Sequence, residues 1–215
     1  MIARMRPKSL PREGYRGRES EMKPWIWTTV VATVLAIVFG LFAWRSTSRP
    51  PSPSDIGGPF HLVDQNGLAV DERLLIGKWS AVFFGYTYCP DVCPTTLSTL
   101  GQAISALGDR SSRFQVVFIT VDPERDTSKA LAAYLDSASF PKATRGLTGS
   151  RAQIAAVAHA YHVYYQKAPQ GASYTMDHSA VVYLMNPSGQ FVRPLDITAP
   201  PPNVARQILA AMGGS

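Results

Sequence analysis

The stretch Ser80 to Thr96, SAVFFGYTYCPDVCPTT, constrains the chain most, because it joins a strand-like run to a helix-like one and puts both cysteines on the join. Ala81-Val82-Phe83-Phe84 is β-branched and aromatic and too short for a helix, so a buried strand ending at Gly85 is expected. From Pro94 onward Leu97, Leu100, Ala103, Ile104 and Leu107 recur at helical spacing. Proline suits the first helical turn, where an amide donor has no partner to lose. Cys89 and Cys93 therefore fall at a strand-to-helix junction. Unpaired amides and the positive end of the helix dipole stabilise an anion there, and a thiolate forms at lower pH than in free cysteine. Three intervening residues leave the two sulfurs close enough either to pair as a disulfide or to chelate one ion. A purely structural disulfide is the plainer alternative, but closing so small a loop restricts the unfolded chain little.

The 215 residues leave room for one membrane anchor and one domain of roughly 150 residues. The net charge of +6 invites a nucleic-acid reading, yet seven basic and three acidic residues before Trp25 account for four of those charges. The basicity belongs to a tail at 1–24, and no nucleic-acid face is expected elsewhere. Residues 25–44, from Trp25 to Trp44, are 20 without a charge. As a helix they would span about 30 Å, a bilayer's hydrocarbon thickness, with tryptophans at both interfaces. Phe42-Ala43-Trp44-Arg45 offers no small-residue cleavage site, which favours a retained transmembrane helix over a signal peptide. Basic residues concentrated before the span put the N-terminus in the cytoplasm and the domain across the membrane, in an oxidising compartment. Acidic residues at 13, 19 and 21 fit a mitochondrial transit peptide poorly and favour the bacterial inner membrane. A Pro/Ser-rich linker, 45–58, is expected before the domain at 59–215.

Within that domain Phe60–Val63 and Leu68–Val70 read as strands around the turn signal Asn66-Gly67. Phe114–Val121 reads as a second buried strand. Thr127 or Asp126 is expected to cap one helix, Ser150 to begin another, and Asn203 to cap a closing one. Val163–Tyr165, Val181–Met185 and Phe191-Val192 read as further strands. Strands alternating with helices give an α/β fold, a mixed central sheet flanked by helices. A cysteine pair at the first strand-to-helix junction points to a thioredoxin-like arrangement.

A metal site needs a third group, and His178, just before a strong strand, is the candidate. Alone, such a histidine is more often a packing or hydrogen-bonding residue; beside two activated thiols it turns toward a three-ligand site. Two thiolates and an imidazole select a soft ion such as cuprous copper, whereas a closed structural zinc site takes four ligands. His61, His159 and His162 read as surface or capping residues, and Met176 as a gap filler. Asp122, Glu124 and Asp126 read as a strand-to-helix turn in preference to a cation loop.

CPDVCP at 89–94 after Phe83-Phe84-Gly85-Tyr86-Thr87, VDPERDT at 121–127, MDHSA at 176–180 and PFHLVDQNG at 59–67 together resemble the Sco/SenC family of copper-binding cytochrome c oxidase assembly proteins. The resemblance covers about residues 58 to 212. It implies a thioredoxin-like fold, Cys89, Cys93 and His178 as copper ligands, and Cys89 with Cys93 as a redox-active disulfide pair. It also implies partners: the oxidase's second subunit, whose dinuclear copper centre the family helps assemble, and other copper chaperones.

Two enzyme readings compete. A thiol-disulfide reductase acting on subunit II cysteines would use the same pair, although typical members have a two-residue spacer and a proline before the facing strand. No proline lies between Pro169 and Pro187 here. A peroxidase is the weaker idea, from the superficial likeness of Thr87-Tyr88-Cys89-Pro90 to a peroxidatic loop.

Overall fold

The two continuous apolar runs of the sequence form the middle of the sheet. In the computed structural model, which describes residues 24–47 and 56–213, β3 (Trp79–Gly85) and β4 (Phe114–Thr120) are buried along their whole lengths. Strands covered on both faces carry such unbroken apolar sequence. They pair in parallel, from Trp79 opposite Phe114 to Gly85 opposite Thr120. Around them the seven-stranded order is β2 (Ala69–Asp71), β1 (His61–Asp64), β5 (Thr144–Thr148), β4, β3, β8 (Val182–Met185), β9 (Phe191–Leu195). Only β5, β4 and β3 run parallel; the other pairings are antiparallel, so the sheet is mixed.

The chain divides into two compact units, Met1–Pro50 and Pro51–Ser215. The first contains helix α1 (Pro24–Thr47). Among the described residues no helix is long and apolar enough to cross a membrane. The expected span Trp25–Trp44 falls partly on positions whose side chains lie outside those described. The expected tail lies almost wholly outside them too. Helix α1 runs on through Thr47, and most of the linker expected at 45–58 lies outside the described residues.

In the second unit, α2 (Val92–Ser105) packs with α5 (Pro201–Gly213), α3 (Ser128–Leu135) lies against β5, and α4 (Arg151–Ala160) against β1. Thr127 caps α3, its side chain accepting from the Ala130 amide. Ser150 and Gln153 form a reciprocal capping box on α4. Asn203 does not cap α5, which begins at Pro201; its side chain accepts from Arg206 inside the first turn. Proline at the start has a preset helical φ and no amide to leave unpaired.

Successive residues of β3 face opposite sides of the sheet, as strand geometry requires. Phe84 packs its ring on Tyr161 and Tyr183 at centroid distances of 5.3 and 6.4 Å. Phe83 faces the other way, with Phe118 at 5.9 Å and His178 at 6.4 Å. Both phenylalanines are fully buried, each contributing about 1.5 to 3 kcal/mol by removal from water. One strand thus anchors the core with one side chain and floors the cysteine region with the next.

Two features depart from the sequence reading. β5 was not expected, and of the short strand expected at Val163–Tyr165 only Tyr165 lies in a strand, as the first residue of β6 (Tyr165–Gln170). β6 pairs with β7 (Ser173–His178) as a separate two-stranded antiparallel sheet. This hairpin turns at Gly171, whose φ of +59° lies in the left-handed region that favours glycine.

Candidate metal centre

Cys89, Cys93 and His178 meet at the carboxyl end of β3. Their ligand atoms, two Sγ and one imidazole nitrogen, all lie within 4.8 Å of one another. No other such group of three occurs among the described residues. Cys93 lies in the first turn of α2 and is fully buried. Cys89 is half-buried in the preceding loop, and both are free thiols. The Cys93 amide donates to Cys89 Sγ at 3.3 Å. An otherwise unpartnered amide of the helix N-terminus is thereby used on a sulfur.

The two thiols are strongly unequal. Hydrogen bonding from the Cys93 side chain, opposed by burial and helped by the Cys93 and Asp91 amides and by His178, lowers the Cys89 thiol to about 5. The Cys93 thiol is pushed up, first by its bond to Cys89 and then by burial. The direction of both shifts favours the thiolate on Cys89 and the proton on Cys93.

His178 ends β7, 85 positions beyond Cys93. Its Nδ1 lies 3.1 Å from the Ser179 carbonyl oxygen. A carbonyl only accepts, so the ring proton is assigned to Nδ1. Nε2 is then the acceptor that faces Cys93 Sγ, at 3.7 Å. The ring stands edge-on to Tyr86, with centroids 5.7 Å apart. Such second-side bonding is the usual way an imidazole is oriented toward a metal.

Space at the centre is set by Gly85. A Cβ there would come 2.7 Å from Phe118 Cε2 and 2.8 Å from Cys93 Sγ. Only a residue without a side chain lets α2 bring Cys93 this close to the strand.

The acidic turn is more than a connector. Asp126 is fully buried beside the cysteine loop, accepting from the Thr87 amide at 3.0 Å, the Thr87 hydroxyl at 2.6 Å and the Thr120 hydroxyl at 2.6 Å. Burial pushes its carboxyl up, while the bonds from Thr120 and Thr87 oppose that. Asp122 is buried as well; it pairs with Arg125 and accepts from the Tyr174 hydroxyl at 2.9 Å. The sequence reading placed these acids in a turn, which is where they lie. It missed that Asp122 and Asp126 point inward, Asp126 tying the cysteine loop to β4 while Glu124 stays exposed. The available signal was the pair Thr87 and Thr120, short hydroxyls at two strand ends with no other evident partner.

His61, His159 and His162 are exposed and outside the centre. His162 follows α4 with a φ of +54°, a helix-ending conformation. Met176 is buried in the core, as a gap filler would be.

A mixed sheet with flanking helices, carrying a Cys–Cys–His cluster where its central strand hands over to a helix, defines a thioredoxin-like α/β domain. The chain belongs to the SCO1/SenC family, whose model matches residues 48–213. It is 46% identical over 140 residues to Protein SCO1 homolog 1, mitochondrial, of Arabidopsis thaliana, a match covering 64% of this chain and 41% of that protein. To a SCO2-like protein of Rickettsia prowazekii it is 34% identical over 186 residues, covering 79% of this chain and 90% of that one. Among solved structures, copper-bound ScoI of Bradyrhizobium japonicum superposes with a TM-score of 0.67 at 45% identity, covering 72% of this chain and 98% of that one. The chain spans about half the length, or less, of the mitochondrial relatives it matches.

Proposed function

We propose that this chain is a membrane-anchored copper metallochaperone that carries copper on Cys89, Cys93 and His178 and assists assembly of the dinuclear copper centre of cytochrome c oxidase. The observation that carries the reading is the convergence of two sulfurs and one imidazole nitrogen within 4.8 Å. Thiolate and imidazole donors at low coordination number favour cuprous copper over hard cations. Copper is cargo here, and the copper bound to ScoI supports the choice of ion. Binding requires the Cys93 proton to leave, so uptake is coupled to proton release. Oxidation of the pair to a disulfide removes both sulfur donors, making thiol redox state the switch between loaded and empty protein.

Trp25–Trp44 would tether the domain as a single-pass span in a bacterial inner membrane, with residues 1–24 cytoplasmic and the domain 59–215 periplasmic. Support comes from the 20 uncharged residues and from the helical run Pro24–Thr47. Partners on this reading are subunit II of the oxidase and the chaperone that loads the copper. Carbonate extraction of membranes expressing the full chain tests the tether: release into the soluble fraction would remove it.

A second reading has an observation of its own. A thiolate with a pKa of about 5 beside a partner thiol that stays protonated is an arrangement suited to thiol exchange, and favours a dedicated reductase of the subunit II cysteines. Cuprous titration of the reduced full chain in detergent, followed by X-ray absorption, tests the main reading. Two sulfurs and one nitrogen are expected, with the nitrogen lost in His178→Ala. Unchanged coordination in that variant would reject the three-ligand site. Rapid exchange with a subunit II cysteine peptide, undiminished in His178→Ala, would favour the reductase.

A further inference from the structure

The hairpin that bears His178 shares no strand pairing with the main sheet. An isolated two-stranded hairpin is marginal in water, so its order must come from docking. Met176 anchors β7 in the core, and several of the polar docking contacts gather around one side chain. Arg125 donates from Nη1 to the Tyr174 carbonyl oxygen at 3.0 Å and pairs through Nε with Asp122. Its guanidinium lies 3.8 Å from the Tyr174 ring centroid and 4.6 Å from that of Tyr88, the residue immediately before Cys89. Tyr174 in turn donates to Asp122 at 2.9 Å. Further polar ties are Tyr86 with Thr175 at 2.7 Å, His178 Nε2 with Cys93 Sγ at 3.7 Å and the exposed pair Lys167–Glu124. Arg125 is mostly buried, and its Nη2 has no hydrogen-bond partner. Its contacts reach the hairpin, the cysteine loop and the buried acid of its own turn.

We infer that Arg125 is a positioning residue: it clamps the β6–β7 hairpin onto the cysteine loop and so holds His178 at the position from which it completes the metal centre. The inference rests on the proposal that His178 is a ligand, but its mechanical half stands apart from copper. A planar, five-donor cation spans the Tyr174 carbonyl, the Tyr174 face and Asp122 at once; lysine cannot. Without the clamp the hairpin detaches more often, and the chain presents two sulfurs without the imidazole.

The test uses the full chain in detergent, with Arg125→Lys as the main variant, since it keeps a cation beside buried Asp122, and Tyr174→Phe as a second. In the metal-free protein, amide hydrogen exchange at 165–178 is expected to accelerate about 10- to 100-fold in Arg125→Lys, the equivalent of one charged hydrogen bond. Amides of β3 and β4 should not change. Tyr174→Phe should give a smaller effect in the same segment. With copper, Arg125→Lys is expected to lose nitrogen from the first coordination shell. It should also weaken cuprous affinity in the wild-type background and not in His178→Ala. Unchanged exchange of the hairpin in Arg125→Lys, or an equal loss of affinity in both backgrounds, would overturn the clamp. Indifference of copper coordination to His178→Ala would instead overturn the ligand assignment, with the exchange data still deciding the clamp.

Discussion

The cysteine junction and the histidine hairpin supply parts of one centre but are built differently. Cys93 is seated where a fully buried parallel strand meets a helix, with Gly85 clearing the space and Asp126 fixing the loop from behind. His178 arrives on two polar strands that pair with each other and are held by a few side chains. The sulfurs are thus positioned by the central strand and its helix, and the nitrogen by a hairpin outside the main sheet. On the proposed reading a copper carrier has use for that division, since a donor that can withdraw would lower the coordination number without disturbing the fold.

The largest effect expected is on the core side. On the proposed reading, Cys89→Ser or Cys93→Ser should reduce cuprous affinity by more than the roughly 100-fold typical of outer-shell changes. Competition with a cuprous chelator measures it. His178→Ala should cost less, roughly 10- to 100-fold, and change thermal stability by less than about 1 kcal/mol. A larger loss of stability would show the hairpin to be part of the core. Gly85→Ala should destabilise the metal-free fold by about 1 to 3 kcal/mol through overpacking against Phe118 and Cys93. Denaturant unfolding reads that out, and no cost there would mean that the junction is looser than its geometry.

The smallest effect is on pH dependence. The Cys89 thiol titrates near 5 in the folded chain, against 9.0 for an ordinary thiol. Between those values the folded state binds fewer protons than the unfolded one. Stability from this thiolate is therefore fully present above pH 9 and is lost as pH falls toward 5. Cys93 acts in the opposite sense above pH 9, where its raised thiol stays protonated in the folded chain. Ultraviolet thiolate absorbance should rise with a midpoint near pH 5, and in Cys93→Ala the midpoint should move up.

The contrast also explains what could be read from the sequence. β3, β4, α2 and the Ser150 cap were legible because burial on both faces, helical apolar spacing and a capping box each leave a local signature. β5 was not, since its apolar content is Leu147 beside Gly146, too little to announce a strand. The β6–β7 hairpin hid for a related reason: Tyr165–Gln170 contains Lys167 and Pro169, and most of its residues face solvent. The three cluster residues were legible as types in a motif. That Arg125, Tyr174 and Asp126 organise them was not, because those roles depend on pairings across 39 to 52 positions that only the fold creates.

Equal strand lengths have a consequence for how such a chain can vary. β3 and β4 run seven residues each in strict register, and the Val121 amide closes onto the Gly85 carbonyl at 2.8 Å just beyond them. An insertion of one residue in either strand would turn Thr120 or Gly85 to the opposite face, parting Asp126 from Thr87. At the hairpin tip, by contrast, Gly171 meets nothing within 4 Å of an added side chain. Insertions and deletions should therefore accumulate at Gln170–Ala172 and be purged from the paired strands, so the molecule's freedom to change length lies far from its freedom to change chemistry.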